Sequence, residues 1–234
     1  MAPLFEILDL QETSLGQLCL RRRELLSRPG TIVTEVTLDH VFLMSSYHTE
    51  SEEALTEIGL RMHHGDDLSV LIGGLGLGYT ARQALQSDRV AQVEVVELLD
   101  PVIEWLKNGW LPTGESLASD ARFQVTKGDV YARLLGPVEH PADLILIDVD
   151  HAPDEPLEPS SAAFYTVDGL RGVAEHLRPG GVLAVWSTFP NPAFEATLAQ
   201  VFDRVEVDTV AWWNDLVDEE KVDTLFAARK RVAP

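Results

Sequence analysis

The sequence predicts an α/β protein: a mostly parallel sheet with helices on both faces and an antiparallel C-terminal strand, preceded by a small N-terminal β-region. Three observations carry the prediction. From Leu68 onward, strand-length apolar runs alternate with helical stretches, which is the pattern of consecutive βαβ units. The alternation opens with Val70-Leu71-Ile72-Gly73-Gly74-Leu75-Gly76-Leu77-Gly78-Tyr79, a short buried strand running into a glycine-rich turn and a helix. Ahead of it, short strand-like segments are separated by turn residues. The 234 residues suffice for one α/β domain with a small appendage. We divide the chain into residues 1–65, β-rich with a linking helix, and residues 66–234.

In the first region, Leu18–Arg23, Thr31–Leu38 and His40–Met44 read as strands, with turns at Arg28-Pro29-Gly30 and Asp39-His40. The triplet Arg21-Arg22-Arg23 reads as a solvated strand edge. Glu52–Met62 reads as a helix because Ala54, Leu55, Ile58 and Met62 share one face. In the second region the strands are Val70–Ile72, Val93–Glu97, Phe123–Thr126, Leu144–Ile147 and Val182–Trp186. Helices are expected over Thr80–Gln86, Val102–Lys107, Val130–Leu135, Val167–His176 and Pro192–Phe202. Two last strands, Arg204–Val210 and Asp223–Ala228, are joined by a Trp-rich loop containing Trp212 and Trp213, read as an aromatic wall or a subunit contact. Ala152–Ser161, rich in Pro, Asp and Glu, reads as a loop and a candidate lid.

A composition of 45% hydrophobic and 24% charged residues is that of a soluble globule. The net charge of −20 argues against nucleic acid, which needs Lys/Arg-rich surfaces; it reads first as a soluble acidic surface, with a cationic small-molecule acceptor as the alternative. No run of about 18 apolar residues points to a membrane span. The N-terminus lacks a signal-peptide charge pattern, so a cytoplasmic location is expected. Cys19 is the only cysteine, which excludes an intramolecular disulfide and a Cys-based metal site.

Ligands of open parallel sheets sit at the carboxyl ends of the strands, beside the point where strand order reverses. Gly74, Gly76 and Gly78 allow close backbone approach, and the following helix N-terminus offers unpaired N–H groups. Glu97 ends the second strand, where its carboxylate suits the two hydroxyls of a ribose. Asp129 follows the third and suits an adenine amino group. Asp148 ends the fourth, with Asp150 and His151 beside it. An NAD site competes, since it too expects an acidic residue about 20 positions after the glycines, but nothing downstream reads as a nicotinamide half-site. A phosphate loop of the Gly-Lys-Ser/Thr type is excluded by sequence. No metal is expected: Asp148 and Asp150 offer two oxygens, but Val185-Trp186-Ser187-Thr188 offers no further carboxylate.

These segments resemble the spermidine-synthase-like branch of the AdoMet-dependent transferases, over about residues 30–190. The family's V-L-x-x-G-G-G-D-G-G-T-x-R-x-x-L is similar, without a gap, to Val70 through Leu85. V-E-I-D-x-x-V-I-E is similar to Val96 through Glu104. Further matches are Leu111-Pro112, Asp120-Ala121-Arg122, Gly128-Asp129, Asp143 through Asp148, and Phe164-Tyr165. The resemblance implies a Rossmann-like AdoMet-dependent transferase sheet. It implies that Gly74, Gly76, Gly78, Glu97 and Asp129 hold the adenosyl group. It implies that Asp148 is the general base at the acceptor amine, and that the chain forms a homodimer through the N-terminal β-region. His151 is a second candidate for proton transfer, and Tyr47, Asp150 and Trp186 are candidate acceptor contacts.

Three departures guide the choice of reaction. Leu77 stands where the family carries the Asp that pairs with the aminopropyl ammonium of decarboxylated AdoMet. Phe42 or Leu43 stands for a Gln, and His151 for the second Asp of D-x-x-D. Loss of a buried charge partner costs about 2–5 kcal/mol. The expectation is therefore S-adenosyl-L-methionine as cofactor and methyl transfer to a small molecule, with Asp148 as base. The alternatives are aminopropyl transfer from decarboxylated S-adenosylmethionine, as in polyamine synthesis, and a catalytically silent AdoMet-binding or dimerisation module.

Overall fold

The structure is a computed structural model that describes residues 4–155, 159–214 and 218–232. Four antiparallel strands form the N-terminal sheet in the order β1 (Phe5–Thr13), β2 (Gly16–Glu24), β3 (Ile32–Leu38), β4 (Val41–Ser45). Helix α1 (Glu50–Met62) leads into the large sheet. Its parallel part comprises β5 (Leu68–Gly73), β6 (Val90–Glu97), β7 (Phe123–Lys127), β8 (Ala142–Ile147) and β9 (Leu177–Ser187). Between them lie α2 (Tyr79–Leu85), α3 (Asp100–Lys107), α4 (Gly114–Ser119), α5 (Val130–Leu134), a 3-10 turn over Pro159–Tyr165 and α6 (Val167–Glu175). After α7 (Pro192–Leu198), β10 (Arg204–Asn214) and β11 (Glu219–Arg229) complete the order β10-β11-β9-β8-β5-β6-β7. β11 inserts antiparallel between β9 and β10, and it alone opposes the direction of the sheet. The predicted fold class, Rossmann-like with an antiparallel C-terminal strand behind a small β-region, is the one observed.

Strand order reverses between β5 and β8, so the carboxyl ends of these neighbours diverge and leave a crevice. The alternation of the strands sorts their side chains into two cores. On one face Val70, Ile72, Leu144, Leu146 and Leu225 pack against α1, α2 and α3. On the other, Leu71, Ile145, Ile147, Leu183 and Phe226 pack against α5, α6 and α7. Leu18, Leu20 and Val36 join the first core, so the N-terminal sheet is set against α3. Trp105 Nε1 donates to Asp9 Oδ2 at 2.6 Å, and Arg22 donates to the Trp110 carbonyl at 3.0 Å.

Several expectations are corrected. β1 was not anticipated: a bulge between Ile7 and Asp9 breaks its period-two alternation. The arginine triplet does not lie on an edge, because β2 is paired on both sides. Arg21 and Arg23 instead grip the buried Glu35, at 2.9 and 2.7 Å. Trp212 and Trp213 are strand residues of β10, in register with Lys221 and Glu220, rather than parts of a loop. α4 is too short to show periodicity, and α7 stops at Leu198. Of the candidate lid, Ala152 and Glu155 form an isolated bridge, while residues 156–158 lie outside the described residues. Among the described residues, no helix is long and apolar enough to cross a membrane.

Candidate active site

The crevice at the reversal point holds a cavity of about 230 Å³ whose wall includes Gly74, Gly76, Gly78, Glu97, Asp129, Asp148, Asp150, His151 and Trp186. The turn that forms its floor depends on glycine at particular positions. Gly78, at φ +87°, caps α2, and a Cβ there would lie 2.3 Å from Thr113 Oγ1. That hydroxyl is committed to the Leu77 carbonyl at 2.6 Å. At Gly74, φ +89°, a Cβ would lie 2.7 Å from the Asp148 carbonyl. Glycine thus lets the first and fourth strand ends approach one another.

Glu97 is buried. Its two oxygens accept from the Leu75 and Leu99 amides, each at 2.8 Å. Burial pushes its carboxyl above the usual range, against the pull of these backbone donors. The carboxylate therefore shapes the turn from a position on the cavity wall. Asp129 caps α5, accepting through Oδ1 from the Tyr131 and Ala132 amides at 2.8 and 3.2 Å.

Asp148 is half-buried at the cavity wall. Thr80 Oγ1 donates to its Oδ2 at 2.9 Å. Burial raises its pKa to about 6, with the nearby Asp223 adding to the effect and Thr80 opposing it. From α1, Glu52 reaches the same wall. Burial and the Asp148 charge push it up to about 8. Asp223 is also buried and raised by burial; it accepts from Trp212 Nε1 at 3.0 Å. None of the described residues lining the cavity is Lys or Arg. Carboxylates crowded without a cation raise one another's pKa values, and they are relieved by a ligand that brings positive charge.

Asp150, expected at the acceptor, is held at the wall by the hydroxyls of Tyr131 and Tyr165, which donate to its Oδ2 at 2.6 and 2.7 Å. His151 is fixed through its backbone, its carbonyl accepting from the Thr188 amide at 2.8 Å. Tyr47 falls outside the cavity wall. Its ring packs edge-on against His48 at 4.5 Å and under the Arg28 guanidinium at 5.8 Å. Trp212 is not among the residues of the wall; its ring packs at a tilt on His48, centroids 4.2 Å apart. Sequence reasoning missed Glu52, Thr80, Tyr131, Tyr165 and Asp223. Thr80, next to the glycine turn, was findable. Glu52 lies in line with the buried Leu55, Thr56 and Gly59 of α1, a spacing that sets it apart from the exposed Glu50, but one acidic residue at the start of a helix reads first as a favourable helix-end charge.

No protein-family profile matches the chain. Over 202 residues it is 31% identical to polyamine aminopropyltransferase 2 of Hyperthermus butylicus, spanning 76% of this chain and 64% of that one. It is 33% identical over 144 residues to the polyamine aminopropyltransferase of Prochlorococcus marinus, spanning 60% of this chain and 44% of the relative. The chain thus spans less than two thirds of the length of these relatives. In fold it is similar to a spermidine synthase crystallised with the transition-state analogue AdoDATO (TM-score 0.76, 17% identity, 98% of this chain and 75% of that one). It is also similar to the spermidine synthase of Thermotoga maritima (TM-score 0.74, 17% identity, 98% and 74%). These relatives are aminopropyltransferases, which overturns the expectation of methyl transfer and of intact AdoMet as its donor. The physical reason lies at Leu77. Its apolar side chain was read as removing the site's anionic provision, but Glu52 brings a carboxylate to the same cavity from α1, an element that the motif comparison did not weigh. By sequence the chain is similar to polyamine aminopropyltransferases, and its Rossmann-like fold is that of the spermidine synthases.

Proposed function

We propose that the protein is an aminopropyltransferase that moves the aminopropyl group of decarboxylated S-adenosylmethionine to an aliphatic amine. The observation that carries the reading is the cavity wall: Glu52 and Asp148 at one end, Asp223 behind them, and no described Lys or Arg along it. Such a wall suits a ligand with more than one ammonium group. The donor supplies a carbon activated by its sulfonium. Glu97 and Asp129 hold its adenosyl part, with the glycine turn beneath. Asp148 stands where an amine must lose its proton before its lone pair attacks. A carboxyl raised to about 6 is ionised at neutral pH, yet is a stronger base than an ordinary aspartate. The acceptor nitrogen gains a bond to carbon, the carbon–sulfur bond breaks, and its electrons neutralise the sulfur of the departing methylthioadenosine. The proton passes to Asp148.

The test is mass spectrometry of products with decarboxylated S-adenosylmethionine and a panel of aliphatic diamines. Equimolar aminopropylated amine and methylthioadenosine are expected. Their absence across the panel would refute the reading. Dimerisation stays part of the proposal: Phe5, Ile7 and Leu10 on β1, with Val41 and Phe42 on β4, are half or more exposed on the N-terminal sheet. Sedimentation that finds only a monomer at micromolar concentration would remove it.

A further inference from the structure

A single side chain joins the two halves of the cavity. Asp129, assigned to the adenosyl ligand, accepts from the Tyr131 amide at 2.8 Å. The Tyr131 hydroxyl donates to Asp150 Oδ2 at 2.6 Å, two residues beyond Asp148. The ring between these ends is buried and fixed edge-on against Phe164, centroids 5.1 Å apart. Asp150 itself is 3% exposed, and the carbonyl of the next residue accepts from the Thr188 amide, so the placement of the segment carrying Asp148 is tied to these partners. Tyr165 also donates to Asp150, at 2.7 Å, from the 3-10 turn, and its hydroxyl lies 3.0 Å from that of Tyr131, through which it reaches the Asp129 end.

We infer that Tyr131 is a positioning residue, a strut through which occupation of the adenosyl end orders the Asp148–His151 segment for the acceptor. The inference rests on the proposed roles of Asp129 and Asp148. A ligand that fixes Asp129 fixes the first turn of α5, hence the Tyr131 hydroxyl, hence Asp150. Binding at one end therefore favours binding at the other, and by linkage the effect is reciprocal. The two hydroxyls share one buried acceptor and lie 3.0 Å apart, and such a network polarises its members and strengthens the Tyr131 bond.

The experiment measures putrescine affinity by tryptophan fluorescence, with and without saturating methylthioadenosine. Wild-type protein is expected to bind putrescine at least about fivefold more tightly when methylthioadenosine is present. In Tyr131→Phe the enhancement should fall below about twofold, while each ligand alone binds within about threefold of wild type. Tyr165→Phe should keep the enhancement. Should Tyr131→Phe fail to fold, Asp150→Ala removes the acceptor of the same hydroxyl and should lose the enhancement too. No enhancement in wild type, full enhancement in Tyr131→Phe, or equal loss in Tyr165→Phe would overturn the strut. Intact coupling in a wild-type protein that turns over no decarboxylated donor would refute the proposed function while leaving the strut standing.

Discussion

Replacing Asp148 by Asn should abolish turnover and, above about pH 6, make the protein more stable. The carboxyl is shifted from an ordinary aspartate value to about 6, mainly by burial. At 1.36 kcal/mol per pKa unit, ionising it in the folded chain costs about 3 kcal/mol more than in the unfolded one. The sign follows from linkage. A folded-state pKa above the unfolded value means that the folded chain holds the proton more tightly. The group is then no burden below about pH 4, and stability is lost as pH rises towards about 6. Asn keeps an acceptor for the Thr80 hydroxyl and carries no charge. It should therefore gain up to about 3 kcal/mol over wild type at about pH 8, and nothing at about pH 4. Urea unfolding of both proteins at the two pH values measures this. Turnover should fall by about 10²–10⁴, with methylthioadenosine affinity within a few fold, and the wild-type acid limb of kcat/KM should centre near pH 6. A variant that is less stable at about pH 8, or a difference that does not change with pH, would refute the account of Asp148 as a desolvated base.

Glu52, raised to about 8, should make putrescine affinity climb about tenfold from about pH 7 to about pH 9, as the carboxyl ionises to meet the cation. Calorimetry in buffers of different ionisation enthalpy should show proton release, and Glu52→Gln should flatten the profile; a flat wild-type profile would exclude Glu52 from the acceptor end. Glu97→Gln turns an amide N–H towards one of two backbone donors and should weaken methylthioadenosine by about ten- to a hundredfold, read by equilibrium titration. Gly78→Ala forces a Cβ onto Thr113 at positive φ and should cost at least about 2 kcal/mol in urea unfolding. Glu35→Gln strands Arg21 and Arg23. Burial raises the Glu35 carboxyl, but the two arginines pull it below its usual value overall, so its stabilisation is present above about pH 4 and lost as pH falls further. The variant should be about 3 kcal/mol less stable at neutral pH, with the gap closing in acid.

Local rules made much of the architecture legible. Apolar runs alternating with amphipathic helices require a covered parallel sheet, and the spacing of Gly74, Gly76 and Gly78 requires a backbone that passes close to its neighbours. Glu97, Asp129 and Asp148 could be placed on one cavity wall from sequence because each lies at or just beyond a strand end, and the carboxyl ends of parallel strands converge on one crevice. The boundaries that failed did so where period two is interrupted, as at the β1 bulge, or where a strand outruns its apolar core, as in β10.

What tertiary structure alone decided is which charges meet. Glu52 lies on a helix before the sheet and Asp223 on the strand inserted last, yet packing brings both towards Asp148. No motif records that encounter, because burial and proximity are properties of the folded chain. Leu77 was visible in the sequence as a lost carboxylate. Only the fold supplied another from α1, since a cavity sums the charges around it whatever their order along the chain.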